Sequence, residues 1–225
     1  MTSDNGHTDA LDAAADGYFP AHYDAVLEHY SKAFQGLSHE ILHEMESVAG
    51  PPIHIHIVSP PDVDFRVLLT EGMSAGAMNT LIMEKRFAEL SLIVPKDIHF
   101  TALTDPDAHP HGWIIHMLRY IAKFPHLVSN FVDYGHFVPA GAEEDDTWGP
   151  LTKFGAAVLL RSVTLWDELV TLQVGDNLIR VLSVFPLYTE ELTYRMEHGL
   201  PAFLDKITEV QLSEQLDVNR PNFGA

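Results

Sequence analysis

The chain of 225 residues contains no cysteine. This absence excludes disulfide bonds, thiolate metal sites and cysteine nucleophiles, and it suits a reducing, cytoplasmic setting. Lysine and arginine are also scarce, with 13 residues against 32 aspartates and glutamates and a formal net charge of −19. Because nucleic-acid backbones are bound mainly by basic side chains, this balance argues against nucleic-acid binding. The excess acid either maintains solubility or attracts a basic partner protein.

The sequence also has no long apolar run. The longest, residues 154–160, is far shorter than the roughly 20 residues that cross a bilayer. Residues 1–17 are small and acidic, whereas a signal peptide is basic and then apolar. They lack aromatic residues and apolar periodicity, so we expect a disordered acidic tail and no membrane partner.

Signals for enzymatic chemistry are weak. Gly72 and Gly76 lie in a small-residue loop without the ending of a phosphate-binding loop. Residues 143–146 are an acidic run expected to lie in a solvated loop. Glu190 and Glu191 are explained by the start of a helix, where carboxylates interact favourably with the helix dipole. We therefore predict that the protein is not an enzyme.

Histidine, with 14 copies, is the one abundant metal-ligand type. Two pairs have workable spacing, one on a predicted strand and one in a predicted loop. A site would require the pairs to converge with a third ligand. The candidates are His54, His56, His109, His111, Asp62 and His136. The histidines therefore leave two functions open. One is the binding of a protein partner, and the alternative is a histidine-centred metal-binding protein or metallohydrolase. The competing interpretation is that the strand pair packs and the loop pair is solvated, and we predict no metal and no cofactor.

The central stretch, residues 112–139, predicts the wall of a groove. Its apolar residues recur at helical spacing up to Phe124, which indicates an amphipathic helix. Pro125 is expected to stop that helix, because proline lacks the N–H that a helix requires. An aromatic segment that includes Tyr134 and His136 follows. Tyr134 is a candidate partner anchor, because amphipathic aromatic residues are enriched at interface hot spots.

Strand patterns dominate the rest of the chain. Residues 53–58 alternate strictly, which predicts a half-buried strand with isoleucines on one face and histidines on the other. Further strands are predicted over residues 63–70, 85–94, 154–161, 168–174 and 178–185, and residues 38–45 fit a strand or a helix. Other helices are predicted over residues 18–34, 189–199 and 201–209. About seven strands in consecutive runs indicate an α+β domain with a mixed, largely antiparallel sheet flanked by helices.

Several stretches, in order along the chain, resemble the suppressor of fused (Sufu) domain family, in particular its short, single-domain bacterial members. The matching pieces are HEIL (39–42), HIHIV (54–58), LLTEGMSAGAM (68–78), RFAELSLIVP (86–95), GWIIHMLRYIAKFPH (112–126), DYGHFVP (133–139), TKFGAAVLL (152–160), FPLYTEELTYRMEHG (185–199) and DVNR (217–220). The implied organisation is a disordered tail at 1–17, a Sufu-like domain at 18–220 and a C-terminal tail at 221–225.

The resemblance implies a non-enzymatic module that binds a protein partner. Short bacterial members are thought to act as immunity proteins that neutralise toxins. By position, the resemblance implies that the family's groove contacts fall on Phe124 and His136. This chain departs from the family pattern there, because the resemblance implies a tyrosine and an acidic residue at these positions in animal members. Phe124, His136 and Tyr134 are therefore the predicted partner-binding residues. The resemblance does not indicate the oligomeric state.

Overall fold

The structure, a computed structural model, describes residues 17–45, 47, 50–100, 109–143 and 145–225. Over these residues it contains four α-helices and eight β-strands. The helices are α1 (Ala21–Ala33), α2 (Gly112–Leu127), α3 (Asp167–Val170) and α4 (Thr189–Glu209). The strands are β1 (Ser38–Leu42), β2 (His54–Ser59), β3 (Phe65–Glu71), β4 (Phe87–Pro95), β5 (Phe137–Pro139), β6 (Ala156–Leu160), β7 (Thr171–Val174) and β8 (Asn177–Leu187).

All eight strands form one sheet in the order β1-β2-β3-β4-β8-β6-β5, and β7 pairs with the beginning of β8. Every pairing is antiparallel except that of β4 with β8. The strands β1 and β5 lie at the two ends of this order. The predicted α+β class, with a mixed and largely antiparallel sheet, is confirmed.

Helices cover both faces of the sheet. On one face α2 packs against alternate residues of the strands, including Ile55, Leu90 and Leu182. On the other face α1 packs against a cluster that includes Val67 and Phe87. The end of α4 packs farther along that second face, against β6 and the end of β8. Burial on both sides is why the central strands are almost continuously apolar.

The prediction that Pro125 stops the central helix is wrong by two residues. The helix α2 continues to Leu127, and Pro125 lies buried in its last turn. The proline removes one helical N–H there, whereas the next turn is still closed by Val128 N donating to Phe124 O at 3.1 Å. The Pro125 carbonyl accepts from Asn130 N at 2.9 Å. A proline near a helix end therefore costs one bond and does not break the fold of the helix.

The alternation predicted that the histidine face of β2 contacts solvent, and the structure shows that this is wrong for His56. The isoleucines and histidines do lie on opposite faces, but His56 has no exposed surface, because α1 covers that side. Both ring nitrogens of His56 have internal partners, with Nδ1 2.7 Å from His39 Nε2 and Nε2 2.6 Å from Glu71 Oε2. Period-two patterns alone cannot tell a packed polar face from a wet one.

Other element predictions differ in detail. The segment predicted as a strand over residues 168–174 begins as α3 and becomes β7 only at Thr171. The helix predicted to begin at residue 189 does begin there, with Thr189 as the first residue of α4 and Tyr188 in the cap position. There Tyr188 N donates to Glu191 Oε2 at 3.0 Å. The predicted interruption after residue 199 is confirmed, because Gly199 has φ 82° and ψ 170° inside α4.

The contacts of residues near the two chain ends can be compared with the predicted domain limits. The predicted tail at 1–17 lies outside the described residues except for Gly17, whose carbonyl accepts from Ala77 N at 2.9 Å. At the other end Phe223 lies 5.9 Å from Phe203 of α4, measured between ring centroids. The boundary at residue 220 stays a prediction. Among the described residues, no helix has both the length and the apolarity needed to cross a bilayer.

Candidate functional site

An open cavity of about 400 Å³ lies at the β5 end of the sheet. We call it the edge groove. The end of α2, the segment that leads into β5, and α4 all contribute to its walls. Its lining residues are Phe124, Asn130, Phe131, Val132, Gly135, His136, Phe137 and Arg195.

The segment that leads into β5 is held by one buried carboxylate. Asp133 forms ion pairs with Lys85, at 2.5 Å, and with Arg180. Burial alone would raise the pKa of Asp133, but hydrogen bonds from Lys85 and Arg180 outweigh it and hold the pKa below its ordinary value. The Asp133 carbonyl also accepts from His136 N at 3.0 Å. This anchor fixes the backbone on which Tyr134 and His136 are mounted.

Pairing with β6 fixes the register of the same segment. Gly135 N donates to Leu159 O at 2.7 Å, and Leu159 N donates to His136 O at 2.8 Å. From Phe137 onwards β5 pairs antiparallel with β6. No other strand of the described residues pairs with β5, so its second edge has no strand partner, although Pro139 at its end has no N–H to donate. An open edge presents backbone donors and acceptors that can pair with an extended chain.

The structure brings two of the three predicted contact residues into one cavity. Phe124 is half-buried at the end of α2, with its ring 6.0 Å from that of Tyr120. His136 is half-buried, and its ring lies 5.1 Å from that of Phe131. Tyr134 is 46% exposed and does not line the edge groove. Phe124 and His136 thus line the same cavity, and Tyr134 is not among its lining residues.

Arg195 of α4 also lines the edge groove, although no sequence pattern singled it out. Its guanidinium carbon lies 5.3 Å from the ring centroid of Phe137. Its Nε is buried without a hydrogen-bond partner. On a helix that carries polar residues along one side, an arginine predicts only a solvated face. The available signal was the family-matching stretch at residues 185–199, which contains Arg195 but assigns it no role.

A larger open cavity, of about 1060 Å³, lies between the start of α2 and the start of α4. Arg220, one of its charged lining residues, already pairs with the buried Glu191 and donates to Pro186 O at 2.9 Å. The Asn222 side chain on the same wall donates to Glu190 at 2.8 Å. These internal bonds explain the polar lining as part of the fold, so the cavity's size alone does not mark it as a binding site.

The predicted histidine pairs do not converge. The His54 ring accepts from Glu44 N at 3.2 Å, and His56 is engaged with His39 and Glu71. In the other pair, His109 Nδ1 accepts from His111 N at 3.2 Å. Within the part of the chain that the structure describes, no three His, Asp or Glu side chains are grouped to hold a metal ion.

Residues 39–43 spell H-E-x-x-H, a zinc motif when it lies on a helix. Here residues 39–42 form β1. Four residues span about 13 Å along a strand but only about 6 Å along a helix, so the two histidines are far apart. His39 contacts His56, whereas the His43 ring lies 4.9 Å from that of His54. The strand conformation removes the geometry that the motif requires.

Residues 72–76 spell G-x-S-x-G, which resembles the nucleophile elbow of hydrolases. The hydroxyl of Ser74 is buried and donates to Glu89 Oε1 at 2.7 Å. The nearby His22 ring contacts the backbone carbonyl of Ser74, at 2.7 Å, and not its hydroxyl. A nucleophile must be exposed to substrate and bonded to a base, so this serine has a structural role.

An open sheet edge beside an aromatic groove defines a class of protein that can hold an extended polypeptide. The family model described as Suppressor of fused protein (SUFU) matches residues 50–221. The chain belongs to the suppressor of fused family, and its single Sufu-like domain is confirmed. A comparison with the curated proteins finds no match.

Solved structures agree on the fold. A SUFU homologue from Neisseria gonorrhoeae FA 1090 superposes with a TM-score of 0.63 at 17% identity, over 90% of this chain and 96% of its own. A chain of the Sufu-Fu complex superposes with a TM-score of 0.60 at 12% identity, over 88% of this chain and 91% of its own. At such identities the likeness concerns the fold alone.

Proposed function

We propose that this protein is a non-enzymatic binding module that holds an extended segment of a partner protein in the edge groove. The observation that carries the proposal is that β5 has an edge without a strand partner, beside a cavity lined by Phe124 and His136. A bound segment would pair with the β5 backbone and place alternate side chains against the aromatic wall. The family membership supports the proposal, as does a relative that is solved in complex with Fu.

The biological role that we propose is that of a bacterial adaptor or immunity protein that acts in the cytoplasm and sequesters a toxin-like partner. Sequestration requires a surface and no chemistry. The internal bonds of Ser74, His39 and His56 support this interpretation, because these side chains are committed to partners within the fold. In this proposal Tyr134 lies beside the groove as an exposed anchor for the rim of the partner.

Site-specific photo-crosslinking tests the proposal. A photoreactive phenylalanine analogue at Tyr134, or at Phe131 in the edge groove, should crosslink the same partner in cells. The same analogue at the exposed Leu27 of α1, on the other side of the domain from α2, is the control. Hydrogen exchange of the purified complex should show slowed exchange in β5. Equal crosslinking from Leu27, or unchanged exchange in β5, would contradict the proposal.

A further inference from the structure

We propose that the edge groove recognises an acidic side chain of its partner, an Asp or Glu within the bound segment, next to an apolar residue. This inference rests on the proposed function, because it names what the groove binds. Its starting point is a contrast of charge. The whole chain carries a net charge of −19, yet no Asp or Glu is among the described residues that line this cavity.

The polar side chains of the lining are all able to donate hydrogen bonds. They are Asn130, His136 and Arg195. The side-chain oxygen of Asn130 is already used, because it accepts from Phe131 N at 2.9 Å, so its NH₂ group is what remains for a ligand. The guanidinium of Arg195 donates only, and histidine has one or two donors according to its protonation. A surface of donors is complementary to a carboxylate.

Arg195 is the strongest of these groups. Its side chain makes no hydrogen bond or ion pair with the described residues, and its Nε is buried without a partner. Its guanidinium carbon lies 5.3 Å from the centroid of Phe137, so the ring limits the positions that the side chain can take. Because the Nε is buried, a carboxylate would bind through two parallel bonds from the terminal NH₂ groups of this held guanidinium.

Two buried acids close along the chain to the lining residues do not neutralise this arginine. Asp133, which precedes His136, is bound to Lys85 and Arg180. Glu191, one turn before Arg195 on α4, is bound to Arg220. Both carboxylates are buried in their own ion pairs, so the groove keeps its cationic character inside an acidic protein.

The aromatic wall specifies the neighbour of the acid. Phe124, Phe131 and Phe137 are half-buried and line the same cavity. In a strand added to β5, residues two apart point to the same side. We therefore expect the partner segment to contain an Asp or Glu two positions from an aromatic or large aliphatic residue.

Peptide selection on the full-length protein tests this inference. A random-peptide display library should yield binders with an Asp or Glu two residues from an apolar residue. For a synthetic binder, Arg195→Gln should weaken affinity by about tenfold or more. Replacing the peptide's acid by its amide should cost the same, and the two losses should not add, because they remove one interaction. Lys32→Gln, which removes an exposed charge on α1, should leave affinity unchanged.

A charge swap guards against a folding artefact. The variant Arg195→Glu should bind a peptide in which the acid is replaced by Lys better than it binds the parent peptide. Recovery of this kind requires a folded groove, whereas misfolding would abolish binding of both peptides and would also lower the unfolding temperature. Arg195→Lys keeps the charge but loses the planar group that donates two parallel hydrogen bonds. Its affinity for the parent peptide should therefore lie between those of wild type and Arg195→Gln.

The outcomes separate this inference from the proposed function. If binders depend on Phe124 but select Lys, Arg or no charge, the acidic assignment is overturned and the groove function stands. If binding requires the peptide's C-terminal carboxylate and no acidic side chain, the assignment to Asp or Glu is overturned. If no selected peptide loses affinity in Phe124→Ala, the proposed function itself fails.

Discussion

At the scale of single residues, one strongly constrained group is a carboxylate in the sheet. Glu89 has no exposed surface and accepts four hydrogen bonds, from Thr70 Oγ1 at 2.6 Å, Ser74 Oγ at 2.7 Å, Ser74 N at 2.9 Å and Gly72 N at 3.1 Å. This explains the small-residue loop after β3, because the loop wraps its donors around one acid. Burial raises the pKa of Glu89 to about 7, although these hydrogen bonds act in the opposite direction.

The raised pKa of Glu89 predicts a pH-dependent stability. Between about pH 4.5 and pH 7 the folded state keeps a proton on Glu89 that the unfolded state has lost, so this group's contribution to stability falls as pH rises. The change is about 3 kcal/mol, since one pKa unit corresponds to about 1.4 kcal/mol. Urea unfolding of wild type and Glu89→Gln across this range measures it. Wild type should lose stability relative to the variant as pH rises.

Other titratable groups near Glu89 require a control. Tyr23, Tyr30 and Glu71 interact electrostatically with it or with one another. They are unchanged in Glu89→Gln, so the difference between the two proteins isolates the single carboxyl. The exposed Glu143→Gln should show no such pH-dependent difference. A stability difference between wild type and Glu89→Gln that is constant with pH would contradict the raised pKa.

At the scale of elements, local signals predicted local structure. The hairpin of β7 and β8 follows from Gly175 and Asp176, because Val174 pairs with Asn177 and Gly175 has φ 57°. The break in α4 follows from Gly199. By contrast, β5 has only three residues and exists because β6 pairs with it, so no pattern in the sequence marks it. The parallel pairing of β4 with β8 is equally non-local.

The residues of the candidate site show the same difference between local and non-local signals. Phe124 and His136 could be placed from one stretch of sequence and its family resemblance, because α2 and the start of β5 are close along the chain. Arg195 could not be placed, because α4 reaches the edge groove only after the sheet and its helices have assembled. Lining residues from one segment are predictable, and those from a distant helix require the tertiary structure.

The turn before β5 depends on α4 in another way, which gives an element-scale prediction. Gly135 has φ 77°, and a Cβ there would lie 2.5 Å from Leu200 Cδ2, just after the break in α4. Gly135→Ala should therefore lower the free energy of unfolding by about 2 kcal/mol or more, from backbone strain of about 1–2 kcal/mol plus the collision.

Gly175→Ala is the matched control for Gly135→Ala. Gly175 also has positive φ, at 57°, but a Cβ there would meet nothing within 4 Å. It should cost the backbone strain alone, about 1 kcal/mol. Chemical denaturation of both variants gives the comparison. Equal losses would mean that Leu200 moves aside freely and that α4 does not support the turn.

At the scale of the whole molecule, the dominant property is uncompensated negative charge. Several of the 13 basic side chains are used inside the fold, where Lys123 pairs with Glu44 and Arg220 with Glu191. Others pair on the surface, as Lys32 does with Glu28. Most of the 32 acids therefore repel one another in the compact state, and this self-repulsion opposes folding.

Screening of that repulsion should stabilise the protein. Raising NaCl from about 0.01 M to about 1 M shortens the Debye length from about 30 Å to about 3 Å, which suppresses interactions between distant surface charges but leaves buried ion pairs largely intact. The unfolding temperature, followed by calorimetry, should therefore rise with NaCl. The double variant Glu143→Lys and Asp145→Lys, in an exposed acidic turn, should start from a higher unfolding temperature and gain less from salt. An unfolding temperature that falls with NaCl would show that attractive pairs outweigh the net charge, and the acidic surface would then be part of the stabilising network.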